Sequence, residues 1–332
     1  MISMADKALR YQDICLIPNY TECYSRSDCV TDVELCGKKF NLPIIPANMK
    51  SVIDMRLAKW MSENNYFYIM HRFNQSLKEV VEEMNKENWD LVSVSAGVQM
   101  RDKKDLVAIS KSGQRVDYIT IDIAHGHCDR MKIMIDAVKK FLPNTKIIAG
   151  NVATPTAVKD LASWGANIVK VGIGQGSPCT TKDKTGFTMP MFSCAKSCSN
   201  VYLGGFEEEL SDKIPIIADG GIKCNGDIAK SLVAGATMSM AGGIFASCTD
   251  SPAVNSTING IPHKAYFGSA SAENKGHNNN IEGKLTNVCS NGMTYEQKLC
   301  EIKQDLQSSI SYAGGDHRNN LDIFKEVLYH QV

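Results

Sequence analysis

Eight short β-rich apolar runs recur along this 332-residue chain, most of them separated by helix-forming segments, and that alternation is what most constrains the fold. The runs cover residues 42–49 (LPIIPANM), 66–72 (YFYIMHR), 91–98 (LVSVSAGV), 118–126 (YITIDIAHG), 146–152 (KIIAGNV), 167–174 (NIVKVGIG), 214–221 (IPIIADGG) and 237–243 (TMSMAGG). Near-continuous apolar strands belong in a parallel sheet buried on both faces. Intervening segments such as VIDMRLAKWMSENN, SLKEVVEEMNKEN, CDRMKIMIDAVKKFLP, TPTAVKDLASWGA and GDIAKSLVAGA repeat apolar residues at i, i+3/i+4 and i+7, the period of an amphipathic helix. Thr154 before Pro155 reads as an N-cap with proline at the first helical position. Eight strands alternating with helices predict an α/β fold, a (β/α)8 TIM barrel, in one domain over residues 1–332. A doubly wound sheet is the alternative, but it normally places G-x-G-x-x-G after its first strand, and none is there.

The runs end in chemistry-bearing residues. Asn48, His71, Asp122, Gly150-Asn151, Gly172 to Gly174, Asp219-Gly220-Gly221 and Gly242-Gly243 all fall at carboxyl ends of predicted strands. In a barrel, that end is the active-site rim. Glycine and asparagine also end strands for purely local reasons. Asp122 and Asp219 are harder to dismiss, since a carboxylate ending a buried strand is costly unless it binds something. Loops after the seventh and eighth strands commonly hold phosphate on backbone amides. Here those loops carry Gly220-Gly221 and Gly242-Gly243, and Gly268-Ser269 adds a further amide and a hydroxyl. Ionised Asp219 only accepts hydrogen bonds, which suits a ribose diol rather than a phosphate. The rim therefore points to a nucleotide or a sugar phosphate.

Two segments break the rhythm. Residues 175–213 are longer than a strand-to-helix loop requires, and read as a mobile catalytic loop. Residues 247–295, rich in Ser, Asn and Gly, read as a flap. The helical pattern from residue 298 ends in a Gly-rich turn and is expected to close the barrel. Within the first loop, KVGIGQGSPCTT puts Cys179 in a glycine-rich turn among hydroxyl residues. Oriented amides in such a turn stabilise a thiolate, the nucleophilic form of cysteine. A structural thiol is the competing reading at this point.

Balanced charge, 36 Lys plus Arg against 36 Asp plus Glu, gives no global signal for nucleic acid or a membrane surface. Residues 1–18 hold no long apolar run, so no signal peptide is expected. Twelve cysteines without a CxxC pair argue for reduced thiols in a cytoplasmic protein rather than a zinc site. His125 and His127 flank Gly126 and read as rim residues in preference to a metal pair. Met238 and Met240 read as core.

From YQDICLIP (11–18) through YITIDIAHGH (118–127), KVGIGQGSPCTTKDKTG (170–186), PIIADGG (215–221), YFGSAS (266–271) and IEGK (281–284) to QDLQSSISYAGG (304–315), the chain resembles the IMP dehydrogenase/GMP reductase family over almost its whole length. No gap accommodates the paired CBS modules usual in the dehydrogenases. The stretch between Gly268 and Glu282 also lacks the Arg-Tyr pair with which they activate water. Ile281-Glu282-Gly283-Lys284 and the Cys-Thr-Thr sequence follow the reductase branch. A dehydrogenase without its insert, or a catalytically silent nucleotide-binding barrel, are the alternatives.

The resemblance implies a specific chemistry. Cys179 attacks C2 of GMP, Thr181 and Glu282 relay a proton to the departing amino group, and NADPH reduces the covalent thioimidate to IMP, a purine-salvage step. Ser177 and the loops at Gly220, Gly221, Gly242, Gly243, Gly268 and Ser269 would hold GMP, with Asp219 on the ribose. Asp122 and Ala124 match the cofactor-contact segment, and the turn carrying Tyr312 and Gly314 is expected from a neighbouring subunit of a homotetramer. Carbonyls of Gly174, Gly176 and Cys179 match a potassium site. The family usually has proline at position 175 and a small apolar residue at 178; this chain has Gln175 and Pro178. AGGIFASCTDSPA also departs from the stretch common in reductases after the eighth strand.

Overall fold

Residues 7–202, 213–272, 281–315 and 320–332 are described by a computed structural model. Fourteen strands run in chain order among them. They are β1 (Ile14–Leu16), β2 (Val33–Leu35), β3 (Lys38–Phe40), β4 (Ile44–Pro46), β5 (Ser93–Ala96), β6 (Tyr118–Asp122), β7 (Lys146–Val152), β8 (Ile168–Val171), β9 (Ile216–Asp219), β10 (Met238–Ala241), β11 (Val254–Ile258), β12 (Ile261–Phe267), β13 (Leu285–Cys289) and β14 (Tyr329–Gln331).

Seven of these, β4 to β10, form one curled parallel sheet in the order β4-β10-β9-β8-β7-β6-β5. The first and last of them in sequence, β4 and β10, are hydrogen-bonded neighbours, so the sheet wraps as a TIM barrel does. The eighth expected strand, residues 66–72, joins through one parallel bridge, Met70 to Val94. Met70 N donates to Ser93 O at 3.0 Å, and Ser95 N donates to Met70 O at 3.0 Å.

Helices cover the sheet where the apolar spacing places them, at Met55–Glu63, Leu77–Lys86, Asp129–Phe141, Pro155–Trp164 and Gly226–Val233. Thr154 caps the fourth of these, its Oγ1 accepting from Ala157 N, with Pro155 at the first position. A helix at Met100–Ser112 was not legible in the apolar pattern, because it buries only Asp102, Leu106 and Ile109. The long helix Tyr295–Tyr312 packs against Gly226–Val233 and the amino-terminal segment. At the end opposite the rim, the β2–β3 hairpin plugs the barrel. Tyr118 donates to Leu35 O at 2.7 Å, and Phe67 meets Phe40 and Tyr118 edge-on at 5.0 Å between centroids.

Both irregular segments carry more structure than a loop reading implies. Residues 175–213 contain helices Thr181–Thr185 and Met191–Cys198, the second burying Cys194 and Cys198; residues 203–212 lie outside the described residues. Residues 247–295 hold the antiparallel sheet β11-β12-β13. The β11–β12 turn is Asn259-Gly260, both at positive φ (52° and 77°), which is the backbone a two-residue hairpin demands.

Gly172 fixes how close the cysteine loop comes to the next strand. Its φ is +131°, and a Cβ there would sit 2.1 Å from Asp219 O. Gly172→Ala is expected to lower unfolding free energy by about 2–4 kcal/mol, read as a lower urea midpoint with an unchanged slope.

Candidate functional site

The carboxyl ends of the barrel strands, the cysteine loop and the root of the flap enclose a cavity of 1430 Å³. It is larger than the roughly 300–1,000 Å³ usual for one small ligand.

Its floor is a buried charge cluster. Lys170 Nζ on β8 lies 2.9 Å from Asp122 Oδ1 on β6 and 2.8 Å from Asp219 Oδ2 on β9, and its side chain is 3% exposed. Asn48 donates to Asp122 Oδ2 at 3.0 Å, and Asn151 donates to Asp219 Oδ2 at 2.9 Å and to Gly172 O at 2.7 Å. Gly150 makes room for the lysine, since a Cβ there would lie 2.7 Å from Lys170 Cβ. Burial works against charge on Lys170, but the two carboxylates outweigh it and hold the ammonium above its ordinary range. Burial likewise opposes ionisation of Asp122, and Lys170, with Arg72 behind it, holds that carboxyl below the usual range. The expectation that each acid must bind a ligand is thus answered in part by an internal partner. Lys170 stood in the quoted loop without a role; a lone lysine in an apolar strand end was the signal for it. His71, at the end of the 66–72 run, is buried and its pKa falls to about 4, chiefly through desolvation, so the ring is neutral near pH 7.

The nucleophile candidate stands on the wall. Cys179 Sγ donates to Thr181 Oγ1 at 3.2 Å, and Thr181 Oγ1 donates to Glu282 Oε2 at 2.8 Å. Glu282 arrives from 101 residues further along the chain. Backbone pairing delivers it: Cys179 forms an antiparallel bridge with Gly283, Thr180 N donates to Glu282 O at 2.8 Å, and Lys284 N donates to Pro178 O at 2.8 Å. Cys179, Thr181 and Glu282 therefore form one thiol–hydroxyl–carboxylate chain facing the cavity.

Ser177, Asp219, Gly220, Gly221, Gly242, Gly243, Gly268 and Ser269 all line the same cavity, as do Asp122, Ala124, Gly174 and Gly176. Tyr266 lies beside Ser177 and was missed by sequence reasoning; burial pushes its phenol up, the Ser177 hydrogen bond opposing. Tyr312 and Gly314 are not in this group. Tyr312 is 60% exposed with Arg26 over its ring, and Tyr312 O and Gly315 O accept from Asn19 N and Glu22 N. His127 also lies outside the cavity lining, paired with Asp160 at 2.8 Å. Among the described residues, no group of three or more His, Cys, Asp or Glu side chains is placed to hold a metal ion.

Lys170→Met is expected to cost about 3–5 kcal/mol at neutral pH, because it strands the buried carboxylates. In the native protein, Asp122 stabilises the fold above its unfolded pKa, and that contribution is lost as pH falls below about 4. In the variant, burial dominates Asp122, so the sign reverses and the deficit shrinks on acidification. Urea titrations of both proteins between neutral pH and pH ~4 test this.

Comparison with known proteins agrees in family. A family model described as IMP dehydrogenase / GMP reductase domain matches residues 8–323. A GMP reductase of Staphylococcus carnosus (strain TM300) is 43% identical over 325 residues, covering 97% of this chain and 96% of that protein. A GMP reductase of Helicobacter pylori (strain G27) is 44% identical over 330 residues, with 97% and 96% covered. One of Acidovorax ebreus (strain TPSY) is 45% identical over 307 residues, with 92% and 91% covered.

Proposed function

The chain belongs to the IMP dehydrogenase/GMP reductase family, and from that premise we propose that it is a GMP reductase: it deaminates GMP reductively to IMP and ammonia, with NADPH as reductant. The observation that carries this reading is the Cys179–Thr181–Glu282 chain on the wall of a rim cavity.

GMP would lie with its phosphate against backbone amides at Gly220, Gly221, Gly242, Gly243 and Gly268 and the Ser269 residue, near Ser177. Asp219 would accept from the ribose hydroxyls, its Oδ1 lying outside the contacts to Lys170 and Asn151. The Cys179 thiolate attacks purine C2 and forms the C–S bond. The 2-amino group leaves as ammonia once protonated, and Glu282 supplies that proton through the Thr181 hydroxyl, which is general acid catalysis. Bound NADPH supplies the hydride that C2 accepts before the C–S bond breaks and the thiolate leaves, giving IMP.

The cavity volume supports a nucleotide and a nicotinamide together. Asp122 and Ala124 would face the cofactor, and Lys170 would keep Asp122 ionised and fixed. Tyr312 and Gly314, which do not reach their own chain's cavity, fit a contribution to a neighbouring subunit's cofactor in a homotetramer. Gly174, Gly176 and Cys179 would offer carbonyl oxygens to potassium. Gly176 O already accepts from Cys179 N at 2.9 Å, and its second lone pair suits a hard cation. Twelve free cysteines support a cytoplasmic protein, the resemblance to GMP reductases supports a place in purine salvage, and no described helix is long and apolar enough to cross a membrane.

Purified protein with GMP, NADPH and potassium is expected to lose NADPH absorbance only when GMP is present, forming IMP and ammonia. NAD reduction with IMP instead would make it a dehydrogenase without an insert, and silence in both with GMP bound would make it a nucleotide binder. Cys179→Ala is expected to abolish turnover while retaining GMP binding in calorimetry. Glu282→Gln is expected to lower kcat about 10²–10⁴-fold with little change in KM.

A further inference from the structure

A cysteine–histidine pair stands at the mouth of the cavity, on the flap. Cys289 on β13 and His263 on β12 are direct cross-strand partners in the antiparallel register. Their side chains meet, with Cys289 Sγ 3.3 Å from His263 Nε2. The other ring nitrogen, Nδ1, lies 2.8 Å from Ile261 O. A carbonyl only accepts, so Nδ1 carries the proton and Nε2 presents its lone pair to the thiol. This is a nucleophile beside a base that a third group orients, the arrangement that activates cysteine. Cys289 is exposed, and it also lines the rim cavity. Among the described residues, the other exposed cysteines, Cys15, Cys224 and Cys300, make no hydrogen bond to an imidazole nitrogen, although Cys15 stands opposite His330 in the β1–β14 register. The proposed reaction makes no use of Cys289.

We propose that Cys289 is a thiol-exchange site that takes small-molecule disulfides of the glutathione class. His263 Nε2 accepts the Sγ proton. The thiolate then attacks one sulfur of the disulfide, a Cys289–sulfur bond forms as the disulfide bond breaks, and the leaving thiolate takes the proton back from His263. One thiol and one disulfide become a mixed disulfide and a new thiol, so no further oxidant is needed. The adduct stands beside Val288 at the cavity mouth, and a second thiol reverses it.

The test uses the full-length reduced protein with oxidised glutathione near neutral pH, and follows adducts on separate peptides by mass spectrometry. Its readout does not depend on catalysis, so it is separable from the GMP reductase reading; Cys179 is followed on its own peptide. Cys289 is expected to react about tenfold faster than Cys15, Cys224 and Cys300. In His263→Gln, a change at a partly exposed side chain, that advantage is expected to vanish while the other three rates stay the same. Equal rates for all four exposed cysteines in the native protein overturn the proposal, as does a Cys289 rate unmoved by His263→Gln.

Discussion

A fully buried ammonium at the top of the barrel organises what surrounds it. Lys170 is affordable inside only because strands on both sides bring a carboxylate to within 3 Å of it. That requirement fixes β6, β8 and β9 at one level and demands glycine at position 150 beneath the lysine, while Asn48 serves the remaining oxygen of Asp122 and Asn151 shares with the lysine the Oδ2 of Asp219. On the floor one ammonium meets two carboxylates, with Arg72 also acting on Asp122. Asp219 Oδ1 lies outside the contacts to Lys170 and Asn151, and a carboxylate oxygen suits hydroxyl donors rather than phosphate. This agrees with assigning ribose to Asp219 and phosphate to the glycine loops further round the rim.

The chemistry on the wall depends on a different and weaker joint. Glu282 reaches Thr181 only while the flap root is paired to the cysteine loop, through the Cys179–Gly283 bridge and the backbone bonds at Thr180 and Lys284. Gly268 and Gly283 allow that approach: a Cβ on the first would lie 3.2 Å from Pro178 O, and one on the second 2.9 Å from Ser271 N. A joint of a few backbone hydrogen bonds is worth roughly 2–4 kcal/mol. That is enough to hold Glu282 in place beside Thr181. The floor is therefore held by buried ion pairs, whereas the Cys179–Thr181–Glu282 chain is held by the backbone pairing at the flap root.

Most of the barrel was legible because its strands are apolar on both faces and its helices amphipathic, so each local pattern and the global fold agree. The helix at Met100–Ser112 escaped because three buried side chains, one an aspartate capping its own start, leave no apolar stripe. The flap sheet escaped because β11 and β13 bury neither face, which erases the alternation that marks a strand. Among the candidate residues, Cys179 was readable from its glycine-rich turn, with a structural thiol competing, whereas Thr181 and Glu282 were readable only through resemblance, since nothing local links residues so far apart. Lys170 was readable physically: a lysine in NIVKV must either break the strand or find acid, and Asp122 and Asp219 were already in view.

The departure at Gln175 and Pro178 shows how a loop keeps its shape when a restraint moves. Gln175 Nε2 donates to Thr188 Oγ1 at 2.6 Å, and Thr188 Oγ1 donates to Ile173 O at 2.9 Å, so a hydrogen-bonded clasp spans the base of the loop where a proline ring would otherwise stiffen one residue. Gly174 lies under that clasp, with room for no Cβ, since one would sit 2.8 Å from Thr188 Oγ1. The proline now stands directly before Cys179. Its ring fixes φ at the residue preceding Cys179, and its carbonyl takes the bond from Lys284 N that ties the loop to the flap. Rigidity in this turn therefore lies at the side of the thiol, next to the pairing that brings Glu282 within reach of Thr181.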